Sequence, residues 1–292
     1  MASDPTSDEI IMVVRDTTLG AIDYQAWVWD GGGWGNATTS GSQATANNEG
    51  IALEYEESGG QAVMVTSNGT ANNFTWKAWD GSNWSLPQTE AIGNDFAGGR
   101  ICRDDGSDAM ALVYIDAAAD NDMSYVLWNG SDWGAAAAEF EPLGNSPNGR
   151  PISCEFEVSA GRDGYLMMPY SDTTQAEAVY WDGALLNGPT ILSTITDAWE
   201  VRTARTGDGN ILAVFYDDAT TEYDFSYWNG TQWSAEQVLE TNSIATFTPR
   251  PIPIDIVARQ FPSFTSGTIV SSAIDFDDGL GPRWEELNWS DS

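Results

Sequence analysis

Three observations predict an all-β chain built from repeated units. Pairs of bulky apolar residues five positions apart occur six times in 292 residues, and the first members of successive pairs are separated by 50, 49, 53, 47 and 56 positions. A period of this size indicates one supersecondary unit copied along the chain. No segment has a sustained helical period, and each copy contains the short apolar runs typical of buried strands. Four short antiparallel strands repeated in this way predict a single β-propeller, with six blades expected first and five blades plus a C-terminal hairpin second.

Each predicted blade contains a hairpin with the paired residues at its two ends. Asp-Gly or Asn-Gly follows the first tryptophan in most copies, and these residue types tolerate the positive φ of tight hairpins. The two interpretations of the aromatic residues are packing between blades and exposed platforms on which a sugar stacks. They are Trp29, Trp34, Trp79, Trp84, Trp128, Trp133, Trp181, Trp228, Trp233, Trp284 and Trp289. The fourth copy has Leu186 in place of the second tryptophan, and the sixth lacks the glycine.

The third copy shows how the four strands are expected to follow one another. Residues 100–103 belong to the first strand, the apolar run 109–115 forms a second strand buried on both faces, 123–128 forms the third, and Trp133 opens the fourth. Residues 1–8 are predicted to be a polar leader and residues 9–292 the propeller domain. The predicted repeats are roughly 9–45, 46–95, 96–146, 147–196, 197–245 and 246–292. The first copy is expected to lack its first strand, and the last copy its fourth.

On these motifs, the chain resembles secreted or surface repeat propellers of bacteria and archaea whose blades carry a Trp-Asn/Asp-Gly-x-x-Trp hairpin. The resemblance covers roughly residues 9 to 289. It implies a surface or extracellular module with a binding role. The acidic composition, with Lys77 as the one lysine, also resembles that of proteins from extreme halophiles; an acidic secreted protein from an ordinary environment is the alternative.

The charge balance excludes several partners. The chain has 44 Asp and Glu against 11 Lys and Arg, which gives a net charge of −33. Such a chain repels the phosphates of nucleic acid and the anionic surface of a membrane. No apolar run approaches the ~20 residues that span a bilayer, so membrane insertion is not expected.

The scarce arginines cluster in the predicted first strands. Arg100, Arg150 and Arg250 are spaced at multiples of 50, and Arg202 lies two positions out of register, which keeps it on the same strand face. These four are candidates for a partial cationic ring at a channel mouth, where guanidinium groups would bind an anion or carboxylate. The alternative is that they neutralise neighbouring acids, among them Glu54, Glu155, Glu157, Glu200 and Asp255.

Clustered aspartates make calcium the one candidate ion, although no cofactor is required. Asp104, Asp108, Asp275 and Asp277 lie in acidic loops that offer the oxygen ligands calcium takes. None of these loops matches the EF-hand pattern, and turn formation through the side chain of Asp is the alternative.

Two further features concern covalent modification. Cys102 and Cys154 lie close to one repeat apart, so a disulfide in an oxidising compartment and two buried free thiols are the alternatives. Glycan acceptor triplets, which also suit turns, begin at Asn36, Asn68, Asn73, Asn83, Asn129, Asn229 and Asn288.

No catalytic signature accompanies this architecture. Without histidine there is no imidazole base or Ser-His-Asp triad, and a carboxylate pair acting as a glycosidase is the one plausible enzyme class. We therefore expect a non-enzymatic extracellular or cell-surface module for adhesion, assembly or ligand binding, with a protein or glycan partner. A carbohydrate-binding lectin is the alternative, and a glycoside hydrolase is the further alternative.

Overall fold

The computed structural model shows strands and turns. It describes residues 1–16, 22–43, 50–58, 60–69, 72–116, 121–136, 139–142, 151–158, 161–172, 174–194, 198–207, 209–217, 222–240, 266–272 and 284–290. None of these residues belongs to a helix, so the described chain has no helix able to cross a membrane. The chain forms two compact units, Met1–Phe156 and Glu157–Ser292.

The first unit contains three antiparallel four-stranded sheets, each with its strands in chain order. The first sheet has β1 (Ala2–Ser3), β2 (Ile10–Asp16), β3 (Ile22–Trp29) and β4 (Trp34–Gln43). The second has β5 (Ile51–Tyr55), β6 (Ala62–Ser67), β7 (Asn73–Trp79) and β8 (Gln88–Ala91). The third has β9 (Phe96–Arg103), β10 (Met110–Asp116), β11 (Asp122–Trp128) and β12 (Glu141–Pro142).

The start of the chain differs from the predicted polar leader. Ala2 pairs with Ile11 and Ser3 with Ile10, so residues 2–3 supply the first strand that the first copy was expected to lack. Strand pairing uses backbone groups, and two residues can pair without an apolar run to reveal them. Asp4 then begins the turn to β2, because its side chain accepts hydrogen bonds from the backbone and hydroxyl of Thr6.

The second strand of each sheet carries much of the core. Every residue of β6 and β10 is buried, as their continuous apolar runs predict for a strand covered on both faces. A cluster that includes Val65, Phe74, Leu112 and Trp128 joins the second and third sheets. Stability of the first unit therefore rests on apolar contact between neighbouring sheets as well as on hydrogen bonds within them.

A disulfide joins Cys102 of β9 to Cys154. The two Cα atoms lie 5.9 Å apart, within the usual range for a disulfide. The bridge ties the first strand of the third sheet to the segment just before β13 (Glu155–Glu157).

The second unit contains two complete four-stranded sheets and a strand pair. The fourth sheet has β13 (Glu155–Glu157), at which the two units divide, β14 (Tyr165–Ser171), β15 (Ala176–Trp181) and β16 (Leu186–Ser193). The fifth has β17 (Ala198–Arg205), β18 (Ile211–Asp217), β19 (Glu222–Trp228) and β20 (Gln237–Glu240). The pair has β21 (Ser266–Ser272) and β22 (Trp284–Ser290).

Two local predictions differ from the structure. Trp284 and Trp289 lie on the single strand β22, opposite Ser272 and Gly267, and do not flank a hairpin. The sixth copy has Glu-Glu where the others have Asp/Asn-Gly, so it lacks the residues that favour the turn. Trp133 makes an isolated bridge with Trp128 and does not open a continuous fourth strand.

Candidate functional site

The Trp-Asp/Asn-Gly segments form five hairpin loops of the same geometry. In the third sheet, Asn129 Oδ1 accepts hydrogen bonds from the backbone N–H groups of Ser131 and Asp132, both at 3.0 Å. Gly130 has a φ of 90°, a region that glycine enters without steric cost. The equivalent acceptors in the other loops are Asp30, Asp80, Asp182 and Asn229. The turn itself therefore accounts for the Asp/Asn-Gly pair.

The paired tryptophans contact each other across these hairpins. Ring centroids are 5.3 to 5.7 Å apart in the four Trp-Trp pairs. Four of these tryptophans are almost completely buried, namely Trp79, Trp128, Trp133 and Trp228. Packing explains the buried rings, whereas Trp34 remains 47 % exposed.

In the first unit, tryptophans of the hairpins also bind acidic side chains of the preceding sheet. Trp79 Nε1 donates a hydrogen bond of 2.7 Å to Glu9, and Trp128 Nε1 donates one of 2.6 Å to Glu56. Both carboxylates lie in the turn between the first two strands of their sheets. Burial raises the pKa of Glu56, against the opposing effect of the Trp128 hydrogen bond. In both contacts the indole N–H has a carboxylate acceptor, and each contact joins two adjacent sheets.

The second unit has a different arrangement at the equivalent place. Glu157, at the end of β13, is fully buried and binds Arg162, whose Nε lies 2.9 Å from Glu157 Oε2. Arg162 therefore binds the carboxylate at the place where, in the first unit, a carboxylate accepts a hydrogen bond from an indole N–H. Arg162 lies in the loop between β13 and β14.

Three aromatic rings surround this arginine. The guanidinium carbon of Arg162 lies 4.6 Å from the ring centroid of Trp228, 4.8 Å from that of Tyr165 and 5.0 Å from that of Tyr180. The two tyrosine rings stack nearly in parallel, 6.0 Å apart. We call Glu157, Arg162, Tyr165, Tyr180 and Trp228 the Arg162 cluster.

Two donors of the Arg162 cluster are buried without an acceptor. Arg162 Nη2 and Trp228 Nε1 have no hydrogen-bond partner among the described residues. A buried donor without a partner costs about 1–3 kcal/mol. Two such donors lie in one cluster beside half-buried tyrosines, and an oxygen atom from a ligand or a water molecule is the acceptor that each of them lacks.

The arginines predicted to line a channel mouth are only partly described. Arg202 forms an ion pair with the fully buried Glu200, and its Nη1 donates a hydrogen bond to the Val201 carbonyl. Arg100 is half-buried on β9. Arg150 and Arg250 lie outside the described residues.

Arg103 supports the alternative in which arginines neutralise acids. Its guanidinium lies 3.0 Å from Glu57, 3.5 Å from Glu54 and 3.7 Å from Asp105. Burial raises the pKa of Glu54 to about 6, although its hydrogen bond from Tyr55 N and the charge of Arg103 oppose this.

The aspartates chosen as calcium ligands have local hydrogen-bonding roles where they are described. Asp104 accepts hydrogen bonds from Gly106 N at 3.1 Å and Ser107 Oγ at 2.7 Å. Asp108 accepts one from Ser58 N at 2.9 Å. Asp275 and Asp277 lie outside the described residues. Calcium binding stays a prediction.

A different acidic group offers the better set of oxygen ligands. Asp116, Asp122 and Glu139 each place a carboxylate oxygen within 4.8 Å of the others. Asn94 Nδ2 donates hydrogen bonds to Asp116 at 2.7 Å and to Glu139 at 2.6 Å. Three carboxylates fall short of the six to eight oxygens that calcium takes, so water or backbone would have to complete such a site. The acidic run from Asp116 to Asp122 was the signal in the sequence.

The predicted glycan acceptors differ in their surroundings. Asn36 and Asn83 are exposed. Asn129 and Asn229 use their side-chain oxygens to build hairpin loops. Asn68 donates a hydrogen bond to Asn73. The side chain of Asn288 lies outside the described part of the chain.

No protein-family model matches the chain, and no curated protein matches it. Solved structures do. A fungal lectin from Aleuria aurantia, described as a six-bladed β-propeller with a novel mode of fucose recognition, matches with a TM-score of 0.53 and 14 % identity, over 95 % of this chain and 94 % of the lectin. The lectin SapL1 in complex with α-methyl fucoside matches with a TM-score of 0.52 and 16 % identity, over 97 % and 92 % of the two chains.

A polysaccharide lyase bound to an ulvan fragment also matches, with a TM-score of 0.50 and 10 % identity, over 99 % of this chain and 84 % of the lyase. Binding proteins and an enzyme thus share this architecture, and identities this low speak to the fold alone. The prediction of an all-β propeller fold is confirmed: the described residues form five antiparallel four-stranded sheets and one strand pair, and the chain is similar in fold to a six-bladed β-propeller.

Proposed function

We propose that this protein is a non-enzymatic carbohydrate-binding module and that the Arg162 cluster binds a sugar. The observation that carries the proposal is the pair of buried donors, Arg162 Nη2 and Trp228 Nε1, without an acceptor in the described chain. Sugars present many oxygen acceptors on a compact ring. A hydroxyl or ring oxygen placed between the two donors would satisfy both.

The charges of the cluster favour a neutral sugar. Glu157 already neutralises Arg162 at 2.9 Å, so the site offers no unbalanced positive charge to an acid. The net charge of −33 adds a general repulsion toward anions. Tyr165 and Tyr180 are half-buried and would supply apolar contact for the less polar side of the sugar ring.

The comparisons support carbohydrate binding over the broader expectation of an adhesion or assembly module. Two of the similar propellers are lectins, one described by fucose recognition and one solved with α-methyl fucoside. This makes methyl α-L-fucoside the first probe for the present chain.

A location outside the cytosol follows as part of the proposal. The disulfide between Cys102 and Cys154 is typical of exported proteins, because the cytosol keeps thiols reduced. An extracellular or cell-surface position also brings a lectin to its glycans.

The test compares two buried hairpin tryptophans that differ in whether the indole N–H has an acceptor. Trp228 Nε1 is unpartnered among the described residues, whereas Trp128 Nε1 is bonded to Glu56. Calorimetric titration with methyl α-L-fucoside, methyl α-D-mannoside and methyl β-D-galactoside, followed by a glycan array, identifies a ligand. We expect Trp228→Phe to weaken binding about tenfold or more, in line with one lost hydrogen bond, while Trp128→Phe leaves binding unchanged.

Two results would overturn the proposal. The first is the absence of binding to every sugar on the array by the folded protein. The second is equal binding by the wild type and Trp228→Phe, which would place the ligand elsewhere.

One close pair of carboxyl groups in the described chain bears on the glycosidase alternative. Asp224 and Glu236 lie together, but they are hydrogen-bonded to each other. Glycosidases separate their two carboxyl groups by about 5–9.5 Å to accommodate the sugar carbon or a water molecule. Two carboxyl groups that are hydrogen-bonded to each other leave no room between them for a sugar carbon or a water molecule, so Asp224 and Glu236 do not suit glycoside hydrolysis.

A further inference from the structure

The fourth and fifth sheets meet at the end of β16, where one carboxylate collects several hydrogen bonds. Ser193 Oγ donates to Glu236 Oε1 at 2.6 Å. The backbone N and the Oγ1 of Thr194 donate to Glu236 Oε2 at 3.1 and 3.0 Å. Glu236 directly precedes β20, so these hydrogen bonds link the last strand of the fourth sheet, β16, to the start of the last strand of the fifth sheet, β20.

A second carboxyl group lies beside Glu236. Asp224 of β19 is 2 % exposed and is hydrogen-bonded to Glu236. Two ionised carboxylates are acceptors only, so this contact requires that one of them carries a proton. The other Asp224 oxygen, Oδ1, is buried and has no hydrogen-bond partner in the described chain.

We propose that Asp224 and Glu236 share one proton and that this proton fastens the end of β16 to the fifth sheet, so that alkaline solution loosens the contact. Without the proton, two negative charges would face each other, one of them on the buried Asp224, and the hydrogen bond between Asp224 and Glu236 would be lost.

The strands of the described chain that pack around Asp224 supply no positive charge that could replace the proton. β18 and β20 place Phe215 and Val238 opposite Asp224. The neighbouring charges are the carboxylates of Glu236 and Glu222. None of β16, β18, β19 and β20 contains lysine, arginine or histidine.

The direction of the pH dependence follows from these contacts. Burial raises the pKa of Asp224 to about 8, and the charges of Glu236 and Glu222 contribute. Burial also acts to raise the pKa of Glu236, but hydrogen bonds from Asp224, Ser193 and Thr194 outweigh it and keep that pKa below its usual value. Between about pH 5 and pH 8 the folded pair holds one proton that the unfolded chain lacks, so the stability it contributes falls as the pH rises toward 8.

Asp224→Asn tests the proposal, because an amide N–H donates to Glu236 at every pH. We expect its urea midpoint to rise relative to the wild type between about pH 6 and about pH 9. Asp182→Asn is the matched control: it removes one charge from an exposed loop in which hydrogen bonds from Leu185 N and Ala184 N lower the pKa of Asp182. Its offset from the wild type should stay constant over that pH range, and a constant offset for Asp224→Asn as well would overturn the proposal.

A measurement on the unaltered protein covers the case in which Asp224→Asn does not fold. Infrared spectra should contain the C=O stretch of a protonated carboxyl group near pH 7 and lose it by about pH 9. Glu54, with a pKa of about 6, is largely ionised across that range. Absence of the band near pH 7 would show that the pair does not hold a proton.

Discussion

At the scale of single residues, aspartate and asparagine perform the same task in the hairpin loops. Asp80 Oδ1 accepts hydrogen bonds from Ser82 N at 2.9 Å and Asn83 N at 2.7 Å, as Asn129 does in the next sheet. The task requires a side-chain carbonyl oxygen and not a negative charge. The charge of these loops therefore reflects the composition of the whole chain more than the needs of the turn.

Asp80 gives the corresponding prediction. Asp80→Asn should change the free energy of unfolding by less than about 0.5 kcal/mol, because the acceptor remains. Asp80→Ala removes the acceptor for two backbone N–H groups and should cost about 1 kcal/mol. Urea unfolding of both variants measures the difference, and equal stability of the two would show that the side-chain oxygen does not hold the loop.

Trp128 gives a second prediction at this scale. Trp128→Phe removes the donor to Glu56, whose carboxylate is buried, and should cost about 1.5–3 kcal/mol. Trp228→Phe removes a donor that has no acceptor in the described chain, so its cost should be smaller. Thermal unfolding of the two variants measures the comparison, and a larger loss at Trp228 would mean that its indole N–H is satisfied in solution.

Arg162 shows why the candidate site could not be predicted from the sequence. Arg162 is one of three arginines that lie away from the predicted first strands, and this unusual position was the one feature of the sequence that set it apart. Its partners Glu157 and Trp228 are 71 positions apart, and only packing of two sheets brings them to one arginine. The even spacing at multiples of 50 favoured Arg100, Arg150 and Arg250 as candidate binding residues instead.

At the scale of strands and hairpins, the sequence predicted those elements whose structure depends on neighbouring residues in the chain. The loop after Trp79 or Trp128 is specified by adjacent residues, and the buried strand β10 by its own apolar run. The last strand of a sheet was harder to predict from the sequence. For example, β12 has only two residues, and its pairing depends on the position of β11. The strand β1 escaped prediction for the same reason.

The disulfide gives a prediction at this scale. It closes a loop of 52 residues between Cys102 and Cys154, for which chain entropy gives about 4 kcal/mol, within the usual range of about 2–4 kcal/mol. A Cys102→Ala/Cys154→Ala double variant should lose stability of that order, and reductant should then have no further effect. A wild type unaffected by reductant, with thiols titrating freely, would show that the bond is absent in solution.

At the scale of the whole molecule, the sequence predicted the fold because the repeat is a property of the entire chain. Six copies of one pattern reinforce one another, so loss of the motif in the sixth left the prediction intact. The residues of the Arg162 cluster are not part of a repeated pattern, so no repetition in the sequence pointed to them. The Arg162 cluster occurs at a place where the first unit instead has hydrogen bonds from Trp79 and Trp128 to glutamates.

The net charge of −33 gives the last prediction, which concerns every residue at once. Charges of one sign repel more in the compact state than in the unfolded chain, and salt screens them over ~10 Å at 0.1 M and ~3 Å at 1 M. The melting temperature near pH 7 should therefore rise as KCl increases from about 0.1 M to about 3 M, with most of the rise below about 1 M.

Acidic solution supplies the control for this prediction, because the sequence isoelectric point is about 4.1. Close to that pH the net charge vanishes, so screening has little repulsion to remove and the effect of KCl should be small. A melting temperature that does not change with KCl near pH 7 would mean that the paired acids, such as those around Arg103, already balance the repulsion. An equal rise at both pH values would instead assign the effect to the general action of salt on apolar burial, since that action does not depend on the charge of the protein.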